Sequence, residues 1–273
     1  MKKLIRIVFS IILVIGLSGC GNKADGDLRV YKLGVNGTDH VVWNNVNERL
    51  KEHGIKLEIV EFSDYVQPNR ALSQGEIDLN AFQTVIYFNS FCKENNIDNL
   101  SVLDYTLVAP MGIYSNKIKK LEEVSSKAVV AIPNDTTNGG RAIKFLEELG
   151  YLELKPESGL TPTVLDITNY LKDIEIVEMV ATQIPRSLDD VDFAVINNGV
   201  AYEAGLTIAE DAVVYENYQD EGMENYWNII AVKTEDLNNE DIKKINEIYH
   251  TQETKDLIIQ HYGGQSIPVW DPQ

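Results

Sequence analysis

From Tyr31 onward the chain alternates two hydrophobic rhythms. Short apolar runs of strand length are followed by stretches in which apolar residues recur every three or four positions. "YKLGV" reads as a strand, and Trp43, Val46 and Leu50 mark one face of a helix that His53-Gly54 stops. "LEIVEF" is the next strand. "SDYVQPNRALSQGEID" follows as a helix, with Pro68 in its first turn and Gly75 at its end. "IDLNAF" is a short strand, and residues 87–95 form a helix. "SVLDYTLVAPMGIYS" is long and extended, and its break at Pro110 and Gly112 marks a crossing between two lobes. The rhythm then resumes with the strand "AVVAIP" and the helix "GGRAIKFLEELG", which carries Ile143, Leu146 and Leu149 on one face. "IEIVEM" is a strand, "IPRSLDDV" a short helix from Pro185, and "FAVIN" and "YWNIIAVK" are strands. The C-terminal stretch "NNEDIKKINEIYHTQETKDLIIQHYGG" is helical.

This alternation predicts an α/β fold with mainly parallel sheets covered by helices on both faces. Such sheets receive ligands at the carboxyl ends of their strands. Polar residues gather at those ends: Asp64 and Tyr65 after "LEIVEF", Phe82 and Gln83 after "IDLNA", Asn134 to Arg141 after "AVVAIP", and Asn197 and Asn198 after "FAVI".

The first residues follow a different pattern. Lys2, Lys3 and Arg6 precede the apolar run "IVFSIILVIGL" and then "LSGC", Leu17 to Cys20. A basic head, a short apolar stretch and small residues before a cut mark residues 1–19 as a secretory signal. The ending resembles a bacterial lipobox, so Cys20 is expected to carry lipid and anchor the mature chain to a membrane outside the cytoplasm. Residues 20–27 then serve as a lipidated tether. Cys92 is the one thiol left, which leaves no internal disulfide, and it is expected to be a small buried hydrophobe.

Charge narrows the partners. The net charge is −18, and without Lys2, Lys3 and Arg6 the balance is 21 basic against 42 acidic residues. Such a surface repels phosphate backbones, which argues against nucleic acid. The four histidines, His40, His53, His250 and His261, show no metal-ligand spacing, and no nucleophile-elbow motif is present. "GTDH" at 37–40 leaves a hydrolase using His40 as a rival reading.

The segment "IPNDTTNGGRAI", 132–143, concentrates the candidate chemistry. If Thr137 or Asn138 caps the helix, the amides of Gly139 and Gly140 face outward as an anion site, and Arg141 adds a planar fork for a carboxylate. The alternative is a capped helix whose arginine pairs with an acid. Arg186 has Asp189 and Asp190 three and four residues on, which suggests an internal helix pair. Tyr65, Phe82, Tyr87 and Trp227 lie at or beyond strand ends and could wall an apolar slot. Asn138, Asn197, Asn198 and Asn228 sit at or beside turns, where an amide oxygen can accept from an ammonium.

Several blocks carry a resemblance: "EFSDYVQPNRALSQGEIDLNAFQ", "APMGIYSNKIKKLEEV", "VAIPNDTTNGGRAIKFLEELG", "PRSLDDVDFAVIN" and "EAGL". In order and spacing, from about Leu33 to Pro268, they resemble the methionine-binding lipoproteins of ABC importers, the NlpA lipoprotein family. The resemblance implies a periplasmic-binding-protein-like fold of two α/β lobes joined by a hinge. The lobes would be 28–111 plus 232–273 and 112–231, with crossings near 110–114 and 226–231. It implies an amino-acid ligand in the cleft, delivery to a membrane permease, no catalysis and no cofactor. The family's ligand wall resembles Tyr65, Phe82 and Tyr87, its carboxylate side Asn138 and Arg141, and a further polar contact Asn228.

The chain departs from the family pattern in places. "FQTVIYF" puts Thr84 where a pocket histidine is expected and Ile86 where a proline is. "INNGVA" puts Gly199 and Val200 in place of asparagine and tyrosine, which moves the polar pair to Asn197 and Asn198. Trp227 stands where a smaller aliphatic is common, and Asp39 replaces a proline before His40. Methionine is the leading expectation; another apolar amino acid, a modified methionine or a short peptide stays open.

Overall fold

Leu33 and Val35 are buried on the first strand, and Val42, Trp43, Val46 and Leu50 line the inner face of the helix that follows. That pairing of a strand run with a helix stripe recurs through residues 28–271, which the computed structural model describes. The signal segment, Cys20 and the tether lie outside the described residues.

In chain order the strands are β1 (Arg29–Asn36), β2 (Ile55–Phe62), β3 (Leu79–Asn80), β4 (Leu100–Val108), β5 (Gly112–Tyr114), β6 (Ala128–Pro133), β7 (Leu152–Leu154), β8 (Ile167–Tyr170), β9 (Ile174–Met179), β10 (Phe193–Ile196), β11 (Ala212–Tyr215), β12 (Trp227–Lys233) and β13 (Ile267–Pro268). The α-helices are α1 (Val41–Leu50), α2 (Gln67–Gln74), α3 (Val85–Glu94), α4 (Thr136–Glu148), α5 (Asn198–Glu203), α6 (Glu240–Tyr249) and α7 (Gln252–His261).

Two sheets define two lobes. One has the order β13-β4-β12-β3-β1-β2 and the other β11-β5-β10-β6-β9. β1 runs parallel to β2 and β3, and β6 runs parallel to β9 and β10. Each sheet also has an antiparallel side: β12 pairs antiparallel with β3 and β4, and β5 with β10 and β11. The expectation of mainly parallel sheets therefore holds for β1–β3 and for β6, β9 and β10, while β5 and β12, the strands entered just after each crossing, run the other way. A chain that returns from one lobe to the other enters the first sheet against its grain, and local periodicity carries no trace of that pairing.

The outward crossing is Ala109–Met111, between β4 and β5. The return lies between β11 and β12, and all of β12 belongs to the first sheet, pairing from Trp227↔Val108 to Lys233↔Leu100. This corrects the lobe boundary expected after residue 231: the chain is back in the first lobe by Trp227. The C-terminal helical stretch is likewise two helices, because Thr251 caps α7 after α6 has ended. Pro185 lies in a 3-10 turn, Ala181–Ser187, rather than in an α-helix.

The first lobe's core joins β1, α1, α6 and α7, with Trp43 stacked on Tyr249 at 4.6 Å between ring centroids. In the second lobe β6 lies between β10 and the edge strand β9, and α4 buries Ala142, Ile143, Phe145 and Leu146 in the core beside it. The carboxyl ends of β2, β3, β6 and β10 all lead into loops that line one cleft between the lobes.

Candidate interlobe binding site

The cleft encloses a cavity of about 700 Å³. Tyr65, Phe82, Thr84, Tyr87 and Asn228 reach it from the first lobe, and Asn138, Arg141, Asn197 and Asn198 from the second. The structure thus brings these nine candidates named from the sequence to one place, and leaves out Trp227.

On the first-lobe wall, Tyr65, Phe82 and Tyr87 form a triangle with ring centroids 6.0, 6.0 and 6.3 Å apart. Tyr87 Oη donates to the Tyr65 carbonyl at 3.0 Å, and Asn36 Nδ2 holds the same loop through the carbonyls of Phe62 and Asp64. The loop bearing Phe82 is pinned by a buried amide cluster in which Gln83 Nε2 donates to Asn69 and Asn80, and Gln83 Oε1 accepts in turn from Asn69 Nδ2. Burial of these three amides is affordable only because they satisfy one another. Thr84 N-caps α3 by accepting from the Tyr87 amide at 3.3 Å, and it bridges antiparallel to Asn228, whose Nδ2 donates to the Leu107 carbonyl.

Arg141 is 3% exposed and makes a two-pronged bond to Glu216: Nε to Oε1 at 2.9 Å and Nη2 to Oε2 at 2.6 Å. Nη2 also donates to the Ala109 carbonyl at 3.1 Å, and the guanidinium lies 4.2 Å above the centre of the Tyr226 ring. Glu216 further accepts from the Met111 amide. The fork expected for a ligand's carboxylate is therefore occupied by a protein carboxylate, and it binds α4 to both interlobe crossings. Nη1 has no partner among the described residues, and Arg141 is one of the residues that line the cavity.

The turn before Arg141 differs in detail from expectation. The cap of α4 is Asp135, not Thr137 or Asn138; its side chain accepts from the Asn138 amide at 2.9 Å. Gly139 donates to the Asp135 carbonyl, so its amide is not a free anion donor. The paired glycines have a steric task instead. A Cβ on Gly139 would lie 2.6 Å from the Pro133 oxygen, and one on Gly140 would lie 2.7 Å from Thr161 Cα.

Asn138 Nδ2 donates to both oxygens of Asp135 at 3.0 Å, and Asn138 Oδ1 accepts from Asn197 Nδ2 at 2.7 Å. Asn197 Oδ1 is buried with no partner. Asn198 lines the cavity, but its Nδ2 reaches across the cleft to Ser266 Oγ at 3.2 Å. Removal from water raises the phenols of Tyr65 and Tyr87 above their ordinary value, and the Asp135 charge adds to both.

Other expectations are corrected. Trp227 is not part of the aromatic wall: it packs edge-on against Tyr105 at 5.5 Å and, like Ile86, against the cluster of Val108, Met223 and Tyr226. Those two departures from the family pattern therefore lie behind the wall, whereas Gly199 and Val200 do line the cavity. Arg186 pairs with neither Asp189 nor Asp190; Asp189 accepts from Asn116, and Arg186 lines the cavity with no ion pair among the described residues. His40 Nε2 is bonded to Glu61 at 2.7 Å. The sequence reading also passed over Glu216 and Asp135. Glu216 is one of many acids and is distant along the chain, whereas Asp135 stood inside the quoted motif, two positions before Thr137, where a capping role was visible.

Residues 32–270 match the family described as NlpA lipoprotein. The "D-methionine-binding lipoprotein MetQ" of Yersinia pestis is 36% identical over 273 residues, covering 98% of each chain. A nutrient binding protein from Burkholderia cenocepacia bound to methionine is 36% identical, with a TM-score of 0.83 over 88% of this chain and 100% of that one. The substrate binding protein of a methionine transporter from Streptococcus pneumoniae is 35% identical, with a TM-score of 0.83 over 88% of this chain and 96% of that one. With the family match spanning both lobes and the cleft between them, this chain belongs to the NlpA lipoprotein family.

Proposed function

We propose that this chain is the substrate-binding lipoprotein of an ABC importer and holds methionine or a related amino acid in the interlobe cleft. One observation carries the reading. A spare guanidinium edge, Arg141 Nη1, and an unpartnered acceptor, Asn197 Oδ1, belong to residues that line the same cavity as the three-ring wall of Tyr65, Phe82 and Tyr87. A zwitterion needs donors for its carboxylate and acceptors for its ammonium, and an apolar side chain needs an apolar wall. The relatives named for methionine binding support the ligand class. Ligand docks on one lobe, the other closes over it, and closure is favoured only as far as the closed state binds better. The closed form then delivers to a permease while Cys20 holds the chain at the membrane through lipid. The chain cleaves no bond in this scheme and uses no cofactor.

A larger ligand, such as a short peptide, is favoured by one feature: nothing lies within 4 Å of a Cβ built on Gly199, which leaves room in the cavity. Native mass spectrometry of protein purified from rich medium, followed by denaturation, tests both readings. Release of methionine supports the first and release of a peptide the second. No retained small molecule, or turnover that His40→Ala abolishes, refutes both.

A further inference from the structure

We infer that Asp135 is a positioning residue for ligand binding: through Asn138 it fixes which atom of Asn197 is presented to the ligand's ammonium group. The inference rests on the amino-acid reading of the cleft. A carboxylate can only accept. The Asn138 atom that lies 3.0 Å from both Asp135 oxygens must therefore be the amide nitrogen. Its oxygen, turned the other way, must then accept, so the Asn197 atom 2.7 Å from it is also a nitrogen. What is left on Asn197 is Oδ1, a buried acceptor with no protein partner. The polarity of two amides, ambiguous in isolation, is set by one charge at the far end of the relay.

That charge has a second property. Asp135 has no cation partner among the described residues, yet its field raises the phenols of Tyr65 and Tyr87 in the ligand wall. A ligand ammonium is the counter-charge the relay lacks. A buried acceptor without a donor is costly, so the ammonium gains by meeting it.

The test uses calorimetry of the purified protein with methionine and with 4-(methylthio)butanoate, which has the same carboxylate and thioether but no amine. Asp135→Asn keeps a capping side chain but can donate to Asn138 and reverse the relay. It is expected to weaken methionine about tenfold to a hundredfold, and the amine-free analogue less than threefold. Asp135→Ser, which caps without reversing the relay, is expected to give a smaller loss with the same selectivity, and it decides the matter should the asparagine variant not fold. Equal losses for both compounds would overturn the relay and leave the binding reading intact. A wild-type protein that binds neither compound would overturn the binding reading itself.

Discussion

Glu203 on the second lobe grips Thr38 on the first: its carboxylate accepts from the Thr38 amide at 2.8 Å and from the Thr38 hydroxyl at 2.9 Å, and the Asp39 amide adds a third bond at 2.9 Å. Gly37 makes room for it. Its φ is +83°, and a Cβ there would lie 2.6 Å from Glu203 Oε1. The lobes are thus joined at the rim by contacts that need no ligand. Glu203 is exposed, so the latch is modest in energy. Glu203→Ala is expected to weaken ligand binding about threefold to tenfold and to enlarge the ligand-free radius of gyration in small-angle scattering. Gly37→Ala should act on the same contact, so the double variant should be no worse than the more damaging single one.

The Arg141–Glu216 pair makes a stronger demand. Losing one member of a buried pair costs roughly 3 to 5 kcal/mol of folding stability, so Arg141→Ala should lower the melting temperature, and loss of Nη1 as a charged donor should weaken ligand binding about tenfold to a hundredfold. Glu216→Ala should lower the melting temperature as well, because it leaves a buried guanidinium unpaired beside both crossings. Calorimetry and thermal melts check the two effects. A change under threefold in the arginine variant would rule out its place in the ligand site.

The glycines near the site separate packing from recognition. Gly140→Ala meets backbone atoms of Thr161 that cannot give way, and a stability loss of about 1–3 kcal/mol is expected in denaturant titrations. Gly199→Ala meets nothing, so stability should hold within about 0.5 kcal/mol, while the largest ligand accepted should shrink.

Cys92 supplies a pH prediction. Cys92 is partly buried rather than fully buried as expected, and that partial burial pushes its thiol up to about 11 from an ordinary 9.0, which makes the reactive thiolate scarce near neutrality. Alkylation of the folded protein at pH 8 should run roughly a hundredfold slower than that of an unperturbed thiol. The rate should climb with pH until the thiol's own range is reached, and mass spectrometry after timed labelling reads it. Fast labelling before any denaturant is added would contradict this burial.

Legibility tracked range along the chain. The strand "AVVAIP" appears as β6 and the stripe of Trp43, Val46 and Leu50 as α1, because each needs only neighbours a turn or two away. The short pieces β7, β8, β11 and α5 went unread, since a three- or four-residue strand offers too few positions for a period. The paired glycines at 139–140 suggested outward-facing amides for an anion, whereas a Cβ on either would meet protein backbone.

By itself the sequence determined the alternating α/β rhythm, the strand ends at which polar residues gather, and the aromatic and amide residues that meet in the cleft. Tertiary structure alone decided that Arg141 turns its fork to Glu216, that Trp227 packs behind the wall, that Arg186 has no ion pair among the described residues, and that Glu203 reaches Thr38. The reason is physical. Periodicity and capping depend on residues adjacent in the chain, whereas the partner of a charge or an amide is whatever the fold places within about 3 Å, and that distance has no expression in sequence spacing.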